Sequence, residues 1–337
     1  MDHVHRAGQE AGSEDRSWRS RIDAPLARGF VRQETRQIHA AHAHIRHIPD
    51  EFYTMISQRF RGRRRLSASS LRLLVSEIDK KAGSALNSVS SSITQELASK
   101  ARPNSIRHDI VHYLIEPAPQ PLVSNARPQD RTMRLCVFAA MLDQGGVTIS
   151  LRETPICFWE HAARRYLIRG GEEHDAAVRS IGRRLASTYI LPMLAQYERD
   201  VAVAGTEIAI PFSGGLLLGR FQARPMAEHS GRVVTFDRYR MQQLTVPYNS
   251  ATNFIVKTYV NASQLSADQR EIVQEMEAWL AVHQSIAQAA ITQVHRVGNR
   301  NVEDVIPSDT WRDMKADFVS MWGRLSHAVV SSAHFKL

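Results

Sequence analysis

The chain has 337 residues, 43% of them hydrophobic and 23% charged, which are the proportions of a globular protein with one large core or two domains and not of a disordered chain. Its formal net charge of +9 is carried mostly by arginine. Because the planar guanidinium fork fits phosphate bidentately, a polyanionic partner is favoured, with nucleic acid ahead of a membrane surface.

Several classes are disfavoured at once. No apolar run approaches the roughly 18 residues of a membrane span, and the N-terminus lacks the apolar centre of a secretory signal. Cys136 and Cys157 sit in apolar runs outside any metal-ligand spacing, so the reading is a reduced, cytoplasmic interior.

Residues 1–50 read as a flexible segment rich in Arg and His. Within it His39, His42, His44 and His47 could offer imidazoles to a metal, but the run reads more simply as a solvated, partly helical stretch. Residues 51–115 read as a helical region. It opens on the densest basic run, Arg59, Arg61, Arg63, Arg64 and Arg65, an electrostatic arm suited to nucleic acid or an acidic protein. Ser67 or Ser69 then caps a helix carrying Leu71, Leu74, Ile78, Ala82, Ala85, Val89, Ile93 and Leu97 at three- and four-residue steps, and Pro103 stops it.

Residues 116–130 form a linker marked by Pro117, Pro119, Pro121 and Pro128. Residues 131–265 read as an α+β core. An apolar run and a short strand near Val147–Leu151 lead into a helix through "TPICFWEHAARRYLIRGG", which stops at Gly170 and Gly171. A second helix spans about 172–197, and an antiparallel meander follows from 206 to 260, turning at Ser213-Gly214-Gly215. Residues 266–337 revert to helix, the first capped by Ser266 with Asp268 or Glu271 in its opening turn, the last amphipathic through Trp311, Met314, Phe318, Trp322 and Leu325. The fold class is therefore α+β, an antiparallel sheet with two preceding helices, flanked by N- and C-terminal helical regions.

The sharpest candidate for chemistry is the first core helix. His161, Arg165 and Arg169 stand at i, i+4 and i+8 and climb one side of it, whereas Arg164 points elsewhere. An imidazole moves a proton near neutral pH, and two guanidiniums stabilise charge growing on a phosphoryl group, so the trio suits phosphodiester cleavage without metal or cofactor. The plain alternative is a solvated face paired with Glu153, Glu160, Glu172 or Glu173. "PFSGGLLLGRF" lacks the G-K-[ST] ending of a phosphate loop and reads as a hairpin, although Arg220 beside it can reach the same cleft. No H-E-x-x-H, C-x-x-C or G-x-S-x-G is present.

The string His161-Ala162-x-x-Arg165-x-x-x-Arg169-Gly170 resembles the signature of RelE/BrnT-like proteins of the barnase-like ribonuclease toxin superfamily. "VVTFDRY" and "FIVKTYV" are similar to that family's last strands, and the resemblance covers residues 147–261. It implies a metal-independent endoribonuclease, often neutralised by an acidic antitoxin. By that resemblance His161 is the general acid or base, Arg165 and Arg169 clamp phosphate, and Tyr259, on the last strand in the same cleft, completes the catalytic set. By strand alternation Lys257 shares its face. The chain is longer than such toxins and its meander more extended. The alternative functions are a non-catalytic nucleic-acid-binding or protein-interaction protein, with Arg61, Arg63, Arg64, Arg65, Arg220 and Lys257 as contacts, and a helical adaptor working through helices 71–97 and 266–296.

Overall fold

Apolar side chains recur along the first three helices at the spacing of one buried face. Helix α1 (Ala24–Ile45) buries Ala27, Val31 and Ile38, α2 (Ile48–Phe60) buries Phe52 and Ile56, and α3 (Ala68–Ala85) buries Leu71, Leu74, Ile78 and Ala82. Ser67 caps α3, its hydroxyl accepting from the Ser70 amide at 3.2 Å. The computed structural model describes residues 22–45, 48–61, 65–85, 88–97, 106–118, 131–171, 174–192, 207–223, 231–237, 241–246, 252–297 and 308–330. Much of the predicted N-terminal flexible segment is thus the ordered helix α1.

The predicted helix over 71–97 ends at Ala85, and Ser90–Leu97 is strand β1. The serine run and the β-branched Val89, Ile93 and Thr94 compete with helical hydrogen bonding and fit a pleated surface better. Strands β2 (Ile106–Pro117), β3 (Thr132–Leu142) and β4 (Gly146–Trp159) continue the sheet, each antiparallel to its neighbour. Ser90–Leu97 and Ile106–Pro117 therefore belong to the sheet and not to a helical region. Pro117 stands opposite Met133, so the strands on either side of the proline-rich stretch, β2 and β3, pair in one sheet.

After β4 come α4 (Glu160–Ile168) and α5 (Ala177–Ser187), the two predicted helices, the first starting later than its sequence suggests because residues 154–159 stay in the strand. Then follow β5 (Glu207–Phe212), β6 (Gly215–Ala223), β7 (Gly231–Asp237), β8 (Met241–Val246) and β9 (Thr252–Val260). They complete a nine-stranded sheet, but not as a simple meander. The free edge of β4 is divided. Its first half, Gly146–Arg152, pairs with β7, whereas Ile156–Phe158 pair in parallel with β9, which leads on to β6 and β5.

Residues in β4 itself cause this fork. The register against β3 shifts between Arg134 and Cys136, leaving a bulge around Thr154 and Pro155. Pro155 has no amide to offer a partner. Thr154 closes the bulge by donating its hydroxyl to the Leu135 carbonyl at 2.7 Å and accepting from the Ile156 amide at 3.2 Å.

Strict alternation gives the sheet two apolar faces. Ile110, Leu114, Phe138, Ala140 and Ile149 meet α2 and α3 on one side. Val111, Tyr113, Ile115, Leu135 and Val137 meet α1, α4, α5 and the C-terminal helices α6 (Ala267–Val297) and α7 (Ser308–Val330) on the other. Ser266 caps α6, as the sequence predicts, and Gln269 makes the cap reciprocal by accepting from the Ser266 amide. The start of α5 has no cap of its own, and the buried Glu34 of α1 supplies one, accepting from the Val178 and Arg179 amides at 2.8 and 2.9 Å. Among the described residues no helix is long and apolar enough to cross a membrane.

Candidate functional site

Helix α4 is short because its sequence stops it. Gly170 adopts φ +97°, and the Gly171 amide folds back to the Tyr166 carbonyl at 3.0 Å. Ala162, Ala163, Tyr166 and Leu167 face the core, which leaves His161, Arg165 and Arg169 along the outer side, as their spacing predicts. Arg165 is exposed, and its Nε donates to His161 Nε2 at 3.3 Å. That contact requires Nε2 to be an acceptor, so it favours the neutral ring. Arg164 is half-buried beside the row.

The remaining two members of the predicted catalytic set hold the fold together. Arg169 donates to the main-chain carbonyl of Tyr259, and its own carbonyl accepts from Asn261 Nδ2 at 2.7 Å, tying the end of α4 to the end of β9. Burial, followed by the neighbouring Arg165, lowers the pKa of Arg169. The Tyr259 ring is 1% exposed, edge-on to Tyr166 and Phe212 at 5.4 and 6.0 Å, and its hydroxyl donates to the Ser213 carbonyl at 3.2 Å. Burial pushes its pKa up to about 12, far from proton transfer near neutrality.

Lys257 and Tyr259 do not share a face. Leu218 pairs with Thr258 but Gly219 pairs with Val256, so Lys257 is the extra residue of a bulge, and the side-chain alternation reverses across it. Tyr259 and Val256 both enter the core under α4, whereas Lys257 lies on the opposite side of the sheet with its Nζ 5.2 Å from the centre of the Trp159 ring. Burial and the nearby Arg220 lower the Lys257 pKa, against the pull of Glu207. The sequence does carry a signal for this bulge: Gly219 inside a strand, where an added Cβ would come within 2.7 Å of the Ile255 carbonyl oxygen.

Arg61 is exposed at the end of α2, and Arg65 is exposed and donates to Gln144 Oε1 at 3.0 Å, on the α2–α3 side of the sheet and away from α4. Arg63 and Arg64 lie outside the described residues. His39 is exposed on α1, while the side chains of His42 and His44, and all of His47, fall outside them as well. Among the described residues no group of three His, Cys, Asp or Glu could hold a metal ion.

One cluster escapes sequence reading. Arg134 is 1% exposed within the sheet, paired to Glu153 at 2.5 Å, while the Cys136 thiol donates to Glu116 Oε1 at 2.7 Å. Burial, then Glu116, raises the Cys136 pKa, and both cysteines are buried thiols outside any disulfide. The interruption of apolar strands by charge in "MRLCVF" and "LRETP" is its only trace in the sequence.

Compared with known proteins, the chain matches no family model, no curated protein and no solved structure.

Proposed function

We propose that the protein binds RNA through its phosphates, on the sheet face covered by α1, α4 and α5. The observation that carries this reading is the outer side of α4, where an exposed guanidinium, Arg165, stands against the half-buried imidazole of His161. The arginine-rich charge of +9 supplies the long-range attraction. The test is fluorescence anisotropy with a labelled single-stranded RNA. Log affinity is expected to fall linearly with log salt, and Arg165→Gln to lower that slope by about 0.7, the share of one phosphate contact. A wild type that leaves the RNA free at low salt defeats the proposal.

Metal-independent cleavage is the second reading, favoured by the acceptor state of His161 Nε2. As a base, His161 would take the proton of a ribose 2′-hydroxyl as that oxygen attacks phosphorus. The departing 5′-oxygen then needs an acid. Tyr259 has its proton engaged by Ser213 and a pKa near 12, and Arg169 is engaged by Tyr259, so His161 and Arg165 are left to act alone. Binding is therefore preferred. Cleavage in EDTA that disappears in His161→Ala would reverse the preference, and intact RNA with both proteins would remove the catalytic reading.

A further inference from the structure

The arginines of most elements have carboxylate partners. Arg59 pairs with Glu77, Arg184 with Glu277, Arg312 with Asp309 and Arg324 with Glu275. Helix α1 is different. Arg28, Arg32 and Arg36 are exposed, and no carboxylate among the described residues pairs with any of them. Glu34 is the sole acid of the helix, and it is 2% exposed, turned inward to cap α5.

At 3.6 residues per turn, Arg28, Arg32, Arg36 and the exposed His39 fall within an arc of about 80° and a length of about 16 Å. Like charges one turn apart repel, so this stripe works against the helix that carries it. The opposite side, through Ala27, Val31 and Ile38, is committed to the core. Beside the cations the exposed side holds Gln33, Gln37 and Ala40, and among the described residues Leu26 is its one large exposed apolar side chain, too little surface to sink into a bilayer.

We infer that the exposed Arg28–Arg32–Arg36–His39 stripe of α1 is a docking rail for the phosphate backbone of RNA. Three forks about 6 Å apart along a straight helix present a repeated positive charge, and the ligand complementary to it is a chain of repeated negative charge. Helix α1 packs against α4, the helix that bears Arg165. The inference rests on the RNA-binding reading and adds to it the element that supplies most of the contacts.

The experiment titrates a fluorescein-labelled single-stranded RNA of about 20 nucleotides with the full chain at several salt concentrations. The triple variant Arg28→Gln, Arg32→Gln, Arg36→Gln is compared with a control of equal charge loss on the C-terminal helices, Arg270→Gln, Arg312→Gln, Arg324→Gln. Expected is a salt slope about 2 units shallower for the α1 variant, a slope near wild type for the control, and restoration when the three positions are Lys. A melting temperature at or above that of the wild type in the α1 variant shows that the loss is not unfolding. If the wild type binds and both triple variants bind alike, the rail is wrong and the RNA-binding proposal stands. If the wild type does not bind RNA, both fall, and binding to phosphatidylserine vesicles alone overturns both in favour of a lipid surface.

Discussion

At the scale of single residues, the charged and hydroxyl groups divide into those that hold the molecule and those left to meet a ligand. Tyr259 belongs to the first kind. Tyr259→Phe keeps the ring against Tyr166 and Phe212 but leaves the Ser213 carbonyl without its donor. We expect a loss of about 1 kcal/mol in urea unfolding and no change in RNA affinity. Arg165→Gln should do the reverse. An equal loss of RNA binding in both variants would return Tyr259 to the functional set. The residue types and spacing of His161, Arg165 and Arg169 were legible in the sequence, since helical periodicity places them on one side without help. The capture of Arg169 by a carbonyl 90 residues away was not legible, because nothing local to α4 encodes that contact.

At the scale of elements, close approach of backbones decides positions that composition leaves open. The β5–β6 turn was predicted from Ser213-Gly214-Gly215. Its positive φ values fall at Ser213 (+49°) and Gly214 (+71°), whereas Gly215 is needed for space. A Cβ there would lie 2.1 Å from the Val260 carbonyl oxygen. Gly215→Ala is therefore expected to cost about 3 kcal/mol by overpacking, and Gly214→Ala about 1 kcal/mol for left-handed backbone, both read from urea midpoints. Equal costs would mean that conformation alone selects glycine here. The caps at Ser67 and Ser266 and the stop at Gly170 were legible because each is a contact within a few residues. The apolar residues of β1 also fit a helical spacing of three and four, so its sequence reads as helix, and only its pairing with β2 makes it a strand.

At the scale of the whole molecule, two helical layers press on one sheet, and the interface of α3 with β2 contains a pH-sensitive contact. His112 is 2% exposed, with Nε2 3.0 Å from Asp79 Oδ1 and its ring edge-on to Phe138. Burial lowers its pKa below 6.5 despite the upward pull of Asp79, and burial, then the nearby Arg72, lowers that of His108 in the same direction. The unfolded chain thus binds these protons at higher pH than the folded one. Their contribution to stability is present in full above pH 6.5 and lost as pH falls through the lowered native values. The urea midpoint is expected to decrease below pH 6.5, and less steeply in His112→Gln. A midpoint that rises on acidification would show that the Asp79 ion pair outweighs burial.

The sequence alone determined the α+β class, the presence of helical regions on both sides of the sheet in chain order, several caps and turns, and the basic character of the chain. Each follows from periodicity, local hydrogen bonding or composition. Only the tertiary structure decided that β4 divides its edge between β7 and β9, that the Lys257 bulge turns this side chain away from Tyr259, and that Glu34 leaves α1 to cap α5. The physical reason is separation along the chain. A register shift or a capture across the fold is stabilised by partners tens of residues distant, and whether an arginine is paired or open to a ligand depends on which carboxylate those distant contacts bring beside it.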